Sequence, residues 1–327
     1  MIREDPVPLE GTVLWEAFKK SFIYDRGVPL LGLGQTESGK TEKSYQIAKW
    51  LMESGETWIR MDCGKPHELL PLLMMGKKIK IISPPDCQVE IMGGGDLDLP
   101  EIIYETTTCP EESWDYVERG VINVFSFRAF FLDGTAFGSY VARVFNSLMN
   151  EVCTGDSPIP VPCFIDVDEF SEVAPSYGLI ENRHQKEAAS KIARVIKKLR
   201  GLRIRLCGYD QAWTDVYPNA RRAFPWLMIC RSPGTSGKDT SSLERFSPLF
   251  ESLRIEEALF VWPNRKWIGK WNFSLFPRPP GVSVRYRGQC YIARAKKRRE
   301  TWIRETTDEE EEGDPREVSP GIPGSLS

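Results

Sequence analysis

The chain has 327 residues, 41% hydrophobic and 27% charged, with a formal net charge of −3, the composition of a soluble protein with one large domain and an appendage. No apolar run reaches the roughly 18 residues of a membrane span, since the richest, Val121 to Phe137, is broken by Arg128 and Asp133. Arg3, Glu4, Asp5 and Pro6 stand where a signal peptide needs apolar residues, so a cytoplasmic protein without membrane insertion is expected.

In chain order, residues 1–27 read as a lead-in. Val28 to Leu33 reads as a strand, followed by a loop and a helix from about Lys40 to Glu53 with Ile47, Ala48 and Leu51 on its apolar side. Thr57 to Cys63 and Val121 to Phe127 read as further strands. Residues 64–118, between them, form an irregular insertion with a turn at Gly93-Gly94-Gly95 and room for a small β excursion. A helix is expected near Gly138 to Val152, then a strand at Val161 to Val167. Ala188, Ala189, Ile192, Val195, Ile196 and Leu199 make one helical face, with Gly201 as its stop. Leu202 to Gly208 and Trp226 to Cys230 complete the strands of a core spanning 28–235, and Ser232 to Ser242 reads as a linker. Strands alternating with helices predict an α/β fold with a mostly parallel sheet flanked by helices.

Eight cysteines sit singly, and only His67 and His184 accompany them, so no zinc site is expected. Cys163, Cys207 and Cys230 fall inside apolar runs and read as small core residues.

Gly34-Gln35-Thr36-Glu37-Ser38-Gly39-Lys40-Thr41 fits the pattern G-x-x-x-x-G-K-[ST] between a strand and a helix. In that setting backbone N–H groups and the positive helix end surround phosphates, Lys40 reaches the β and γ groups, and the Thr41 hydroxyl ligates Mg²⁺. Glu37 stands where such loops often carry glycine, which calls for a costly backbone torsion. Glu37-Ser38-Gly39-Lys40 resembles the loop of heterotrimeric G-protein α subunits, but no Asn-Lys-x-Asp guanine-reading motif follows, and ATP is the expected nucleotide.

The strand Pro162-Cys163-Phe164-Ile165-Asp166-Val167 leads into Asp168-Glu169-Phe170. Asp168 is placed to bind Mg²⁺ and Glu169 to polarise the attacking water. Asp166 shares a strand face with Asp168 and reads either as an acid behind the metal or as the metal acid itself. Gly208-Tyr209-Asp210-Gln211 ends the next strand, where the Gln211 amide is placed to sense the γ-phosphate.

With these motifs, residues 28 to 231 resemble the FtsK/HerA superfamily of DNA-pumping ATPases, in the compact form of packaging or mobile-element ATPases. Val167-Asp168-Glu169-Phe170 is similar to its acidic motif and Gly120 to Phe127 to the strand preceding it. Asn219-Ala220-Arg221-Arg222 and Ile229-Cys230-Arg231 are similar to its closing Asn and terminal strand with Arg. The resemblance implies a RecA-like P-loop core, ATP and Mg²⁺, a homo-oligomeric ring of six subunits, and an arginine acting across subunits. Arg231 is the first candidate for that arginine, with Arg221 and Arg222 behind it.

Charge is unevenly spread. Trp262 to Arg304 carries twelve Lys or Arg against one acid, whereas Glu305 to Ser327 carries eight acids and one Arg. Residues 236–304 therefore read as a basic, β-rich appendage with a hairpin near Val282, Val284 and Tyr286, and 305–327 as a disordered acidic tail. Trp262, Trp267, Trp271, Phe273, Phe276, Tyr286, Tyr291 and Trp302 interleave with the cations. They read either as stacking surfaces for DNA or as the core of a small subdomain. Lys296, Lys297, Arg298 and Arg299 are the expected double-stranded DNA contacts. The function expected is a ring motor that translocates or packages DNA, with a capsid- or portal-like protein as a further partner. The second reading is a nucleotide-switched assembly ATPase resembling zonula-occludens-toxin-like phage proteins.

Overall fold

The computed structural model describes residues 7–8, 18–61, 66–83, 88–95, 97–126, 144, 147–148, 159–180, 183–231, 247–262, 267–273 and 276–287. Val7–Pro8 (β1) and a wide helical turn at Lys19–Ile23 precede Leu30–Leu33 (β2), Lys40–Glu53 (α1) and Thr57–Met61 (β3). Ile79–Ser83 (β4), Gln88–Gly93 (β5), Ile102–Thr106 (β6) and Ile122–Phe125 (β7) follow. Next come Cys163–Val167 (β8), the short helix Phe170–Val173 (α2) and the long helix Arg183–Leu199 (α3). Ile204–Asp210 (β9), Pro218–Arg221 (α4), Trp226–Ile229 (β10), Ser247–Ser252 (α5), Glu257–Trp262 (β11), Trp267–Asn272 (β12) and Val282–Arg287 (β13) complete the order.

Eleven strands form one sheet in the order β1-β12-β11-β10-β2-β9-β8-β3-β7-β4-β6. From β10 to β6 every pairing is parallel. Parallel strands need helical crossovers that cover both faces, which is why β2, β3, β4, β7, β8, β9 and β10 are buried along their whole length. Alternate residues feed two cores. Trp58, Phe164 and Tyr209 face Tyr45, Ala48 and Leu51 of α1; Ile59, Ile165 and Leu206 face Ala189, Ile196 and Leu199 of α3. Helix α1 closes at Gly55, whose left-handed backbone (φ 89°) lets the next N–H, that of Glu56, bond back to the Leu51 carbonyl.

Several expectations change. The 64–118 region does not stand apart, because β4 and β6 extend the main sheet beyond β7. Lys80 disguises β4 as a polar run, but its stem lies in the sheet while its ammonium meets Glu118 at 2.8 Å. The expected hairpin at 282–287 is instead a single strand, β13, that pairs antiparallel with β5 of the distant insertion. Strands β11 and β12 continue the core sheet antiparallel to β10, so the region after residue 236 supplies core strands. Trp271, Phe273 and Phe276 are buried there with Phe18 and Phe260, which removes them as stacking surfaces for DNA. Gly201 falls within a 3₁₀ turn, and the left-handed residue after α3 is Arg203 (φ 60°). Of the helix expected near 138–152, Val144, Ser147 and Leu148 are described and helical. Trp262, Trp267 and Tyr286 fall in β11, β12 and β13, while the linker at 232–242, Tyr291, Trp302 and the acidic tail lie outside the described residues.

Two buried arginines cross-link the strands. Arg205 of β9 meets Glu56 at 2.6 Å, both side chains fully buried, and also donates to the carbonyls of Val28 and Ile23. Burial pushes the Glu56 carboxyl up against the downward pull of Arg205. Breaking such a pair leaves one charge uncompensated in the core, so Arg205→Ala should lower stability by roughly 3–5 kcal/mol, whereas replacing both partners with apolar residues (Arg205→Met with Glu56→Leu) should cost far less. Denaturant midpoints of the two variants check this.

Candidate active site

The phosphate-binding loop grows out of β2 between its two neighbours. Gly34 N–H bonds to the Asp210 carbonyl at 3.1 Å and Gln35 N–H to the Arg231 carbonyl at 3.2 Å. A Cβ at Gly34 would come within 2.5 Å of Ser38 Oγ and 2.6 Å of Cys230 Cβ, so no larger residue fits. The loop then turns through Glu37 (φ 63°) and Gly39 (φ 71°) into α1. The torsion expected of Glu37 is therefore present. Lys40 Nζ rests 3.2 Å from the Gly34 carbonyl, folded back over the loop. Thr41 follows in the first turn of α1.

At the carboxyl end of β8, Asp168 is buried, and Glu169 adopts a left-handed backbone (φ 51°, ψ 58°) that starts α2. Asp166, two residues earlier on the same face, is bonded to Arg60 at 2.8 Å, and Arg60 also holds Glu68 at 2.9 Å. Burial pushes the Asp166 carboxyl up to about 6, with Arg60 opposing and Asp168 reinforcing the shift. Asp166 is thus engaged by an arginine beneath the site, which leaves Asp168 as the acid at the strand end.

Strand β9 lies between β2 and β8, so Gln211, just past its end, stands between the loop and the acids. Thr36 Oγ1 donates to Gln211 Oε1 at 3.3 Å, and Gln211 Nε2 reaches Glu169 Oε2 at 3.5 Å. Thr36 and Gln211 are exposed and Glu169 half-buried, as an open cleft requires. A polar path thus joins the phosphate loop to the water-polarising candidate.

Among the arginines, Arg221 is buried, donates to the Trp213 carbonyl at 2.8 Å and lies over the Trp213 ring. Arg222 and Arg231 are exposed, and the Arg231 main-chain carbonyl anchors the loop at Gln35. Lys296, Lys297, Arg298 and Arg299 lie outside the described residues. Among the described residues no group of three or more His, Cys, Asp or Glu side chains is gathered as a metal cluster. Thr41 and Asp168 instead offer two hard oxygen donors, which suits Mg²⁺, an ion that completes its shell with water and substrate phosphate.

Two further residues had no sequence signal as site residues. Lys43, buried, donates to the carbonyls of Ser38 (2.9 Å) and Ile255 (2.6 Å); a lysine in the first turns of a helix reads as solvated until the turn at Ile255 covers it. Asp210 is buried at the end of β9, where the motif drew attention to Gln211 alone.

A parallel sheet with β9 between the loop strand and the acidic strand defines a P-loop nucleoside triphosphatase core of RecA-like order. The chain matches no protein-family model and no curated protein. Among solved structures it is similar to the genome packaging NTPase B204 of Sulfolobus turreted icosahedral virus 2 in complex with AMPPCP. Identity is 10%, with 76% of this chain and 98% of that one covered and a TM-score of 0.45. It is also similar to EccC (ATPases 2 and 3) of Thermomonospora curvata, with 14% identity, 77% of this chain, 38% of that one and a TM-score of 0.41. For EssC (ATPases 2 and 3) of Geobacillus thermodenitrificans the values are 11%, 88%, 45% and 0.39. The chain spans less than half of each of the last two. At these values the class rests on this chain's own strand order and site.

The left-handed torsion at Glu37 yields a direct check. Glu37→Gly removes the steric penalty but adds chain entropy, and should change stability by less than about 1 kcal/mol. Glu37→Val puts a β-branched residue in the same torsion and should lose roughly 1–2 kcal/mol or distort the loop. Thermal melts of both variants measure the difference.

Proposed function

We propose that the chain is an ATP-hydrolysing motor that translocates or packages double-stranded DNA, working as a ring of identical subunits, six by the family resemblance. The observation that supports hydrolysis is the polar path Thr36–Gln211–Glu169 at the open end of the sheet. Loop N–H groups and the start of α1 receive the phosphates, and Lys40 exchanges the Gly34 carbonyl for the β and γ groups. Glu169 accepts the proton of the attacking water, and Gln211, in reach of both Thr36 and Glu169, orients that water. Thr41 and Asp168 would hold Mg²⁺, which when bound neutralises phosphate charge. DNA as substrate rests on the net +11 of residues 262 to 304 and on the motif resemblance.

Full-length protein tests the reading. Lys40→Ala should lose ATP binding or turnover. Glu169→Gln should keep binding and lose about 10²–10⁴-fold in kcat, since only proton transfer is removed. A near wild-type rate for Glu169→Gln rejects the assignment. Duplex DNA should stimulate the wild-type rate, and neutralising Lys296, Lys297, Arg298 and Arg299 should weaken binding and flatten its salt dependence. A rate indifferent to DNA would favour an ATPase that remodels a protein partner.

Arg231 is the arginine we assign to the γ-phosphate across the subunit junction. Mixtures of Arg231→Ala and Glu169→Gln subunits should regain activity above either variant alone. Rings that mix without any gain would remove Arg231 from that role.

A further inference from the structure

One carboxylate stands behind the whole polar path. Asp210 is the last residue of β9, buried to 1% exposure. Its Oδ1 accepts the Gln211 N–H at 2.7 Å and its Oδ2 accepts the Ser171 N–H. Ser171 lies two residues after Glu169 in the first turn of α2. The Asp210 main-chain carbonyl meanwhile accepts Gly34 N–H, the first bond of the phosphate loop. A single residue therefore touches the loop, the Gln211 main-chain N–H and the turn that carries the carboxylate.

Each of the two N–H donors meets its own carboxylate oxygen. Asparagine, of nearly the same shape, would turn an NH₂ group toward one of those donors. Burial pushes the Asp210 carboxyl up to about 6, while the bonds from Ser171 and Gln211 and the charge of Lys40 pull it down. A buried carboxylate is costly unless its bonds are made. Capping a four-residue helix would need only one of its two oxygens.

We propose that Asp210 is a positioning residue for ATP hydrolysis: its two oxygens fix the Glu169 turn and the Gln211 main chain at one separation, so that carboxylate and amide address the same water. This rests on the roles given above to Glu169 and Gln211. Its side-chain hydrogen bonds go to main-chain N–H groups, so its loss should fall on turnover more than on nucleotide affinity.

The test uses full-length protein with Asp210→Asn, Gln211→Ala and the double variant, measuring kcat, ATP affinity without turnover, and melting temperature. Asp210→Asn should lower kcat by about tenfold or more while ATP affinity stays within about threefold of wild type. In the Gln211→Ala background the same change should lower kcat by a smaller factor than it does alone, because the share that acts through the Gln211 amide is already lost while the share that acts through the Glu169 turn remains. If Asp210→Asn does not fold, Asp210→Ser, with one acceptor on a shorter arm, carries the same comparison. Unchanged kcat well below the melting temperature, or full additivity with Gln211→Ala, overturns the proposal. A wild-type protein without ATPase activity overturns the hydrolytic reading and this one with it, whereas an active wild type and an equally active Asp210→Asn overturn this one alone.

Discussion

The phosphate loop keeps its shape because β2 is gripped on both sides by parallel strands, β9 and β10. The ladder runs on past the last residue of β2. Gly34 pairs with the Asp210 carbonyl and Gln35 with that of Arg231, while Cys230 N–H bonds back to Leu33 at 2.7 Å. These bonds set the direction in which the loop leaves the sheet, and hence where its N–H groups point. The same insertion of β9 beside β2 brings Gln211 to Thr36 and Glu169. The contacts that join the loop to Gln211 and Glu169 follow from the order β2-β9-β8.

Beneath this polar edge, the sheet carries charges that an apolar core would exclude. Arg60 lies between Asp166 and Glu68, and Tyr45 of α1 donates to the Glu68 carbonyl at 2.5 Å. Arg205 and Glu56 do the same between β9 and the start of β3. Pairs of this kind contribute little net stability. They do penalise wrong registers heavily, because a shift of one residue would turn each arginine to the opposite face. Arg60 stands directly opposite Asp166 in the β3–β8 pairing, so the register that satisfies the ion pair also brings Asp168 to the strand end.

The chain's later segments are stitched to the nucleotide helix itself. Glu42, next to Thr41, accepts the Phe276 N–H and pairs with Arg278. Lys43 ties Ser38 of the loop to Ile255, and a Cβ on Gly39 would meet the Ile255 carbonyl at 2.7 Å. The segment that leads toward the basic residues is thus mechanically continuous with the first turn of α1.

Local chemistry made much of the site legible. The glycine spacing of 34–41, the acidic pair after an apolar strand and the helix beginning at Lys40 are short-range patterns, and they stand where the periodicity placed them. Of the parallel strands, β2, β3, β7, β8, β9 and β10 were equally readable, because a strand buried on both faces is a largely continuous apolar run. Partners far apart in the chain were not readable. The pairing of β5 with β13, the place of β4 and β6 in the main sheet, and the core role of Trp271, Phe273 and Phe276 depend on which edges meet, and alternation along one strand carries no information about its neighbour. The same limit hid Asp210 and Lys43, whose partners are a main-chain N–H on another strand's turn and a carbonyl beyond β10. By itself the sequence determined the phosphate loop, the acidic strand end and the α/β class, since each needs only neighbouring residues. Only the tertiary structure shows that Asp166 is paired with Arg60 and that the Gln211 amide meets Glu169, since both contacts join side chains from separate strands.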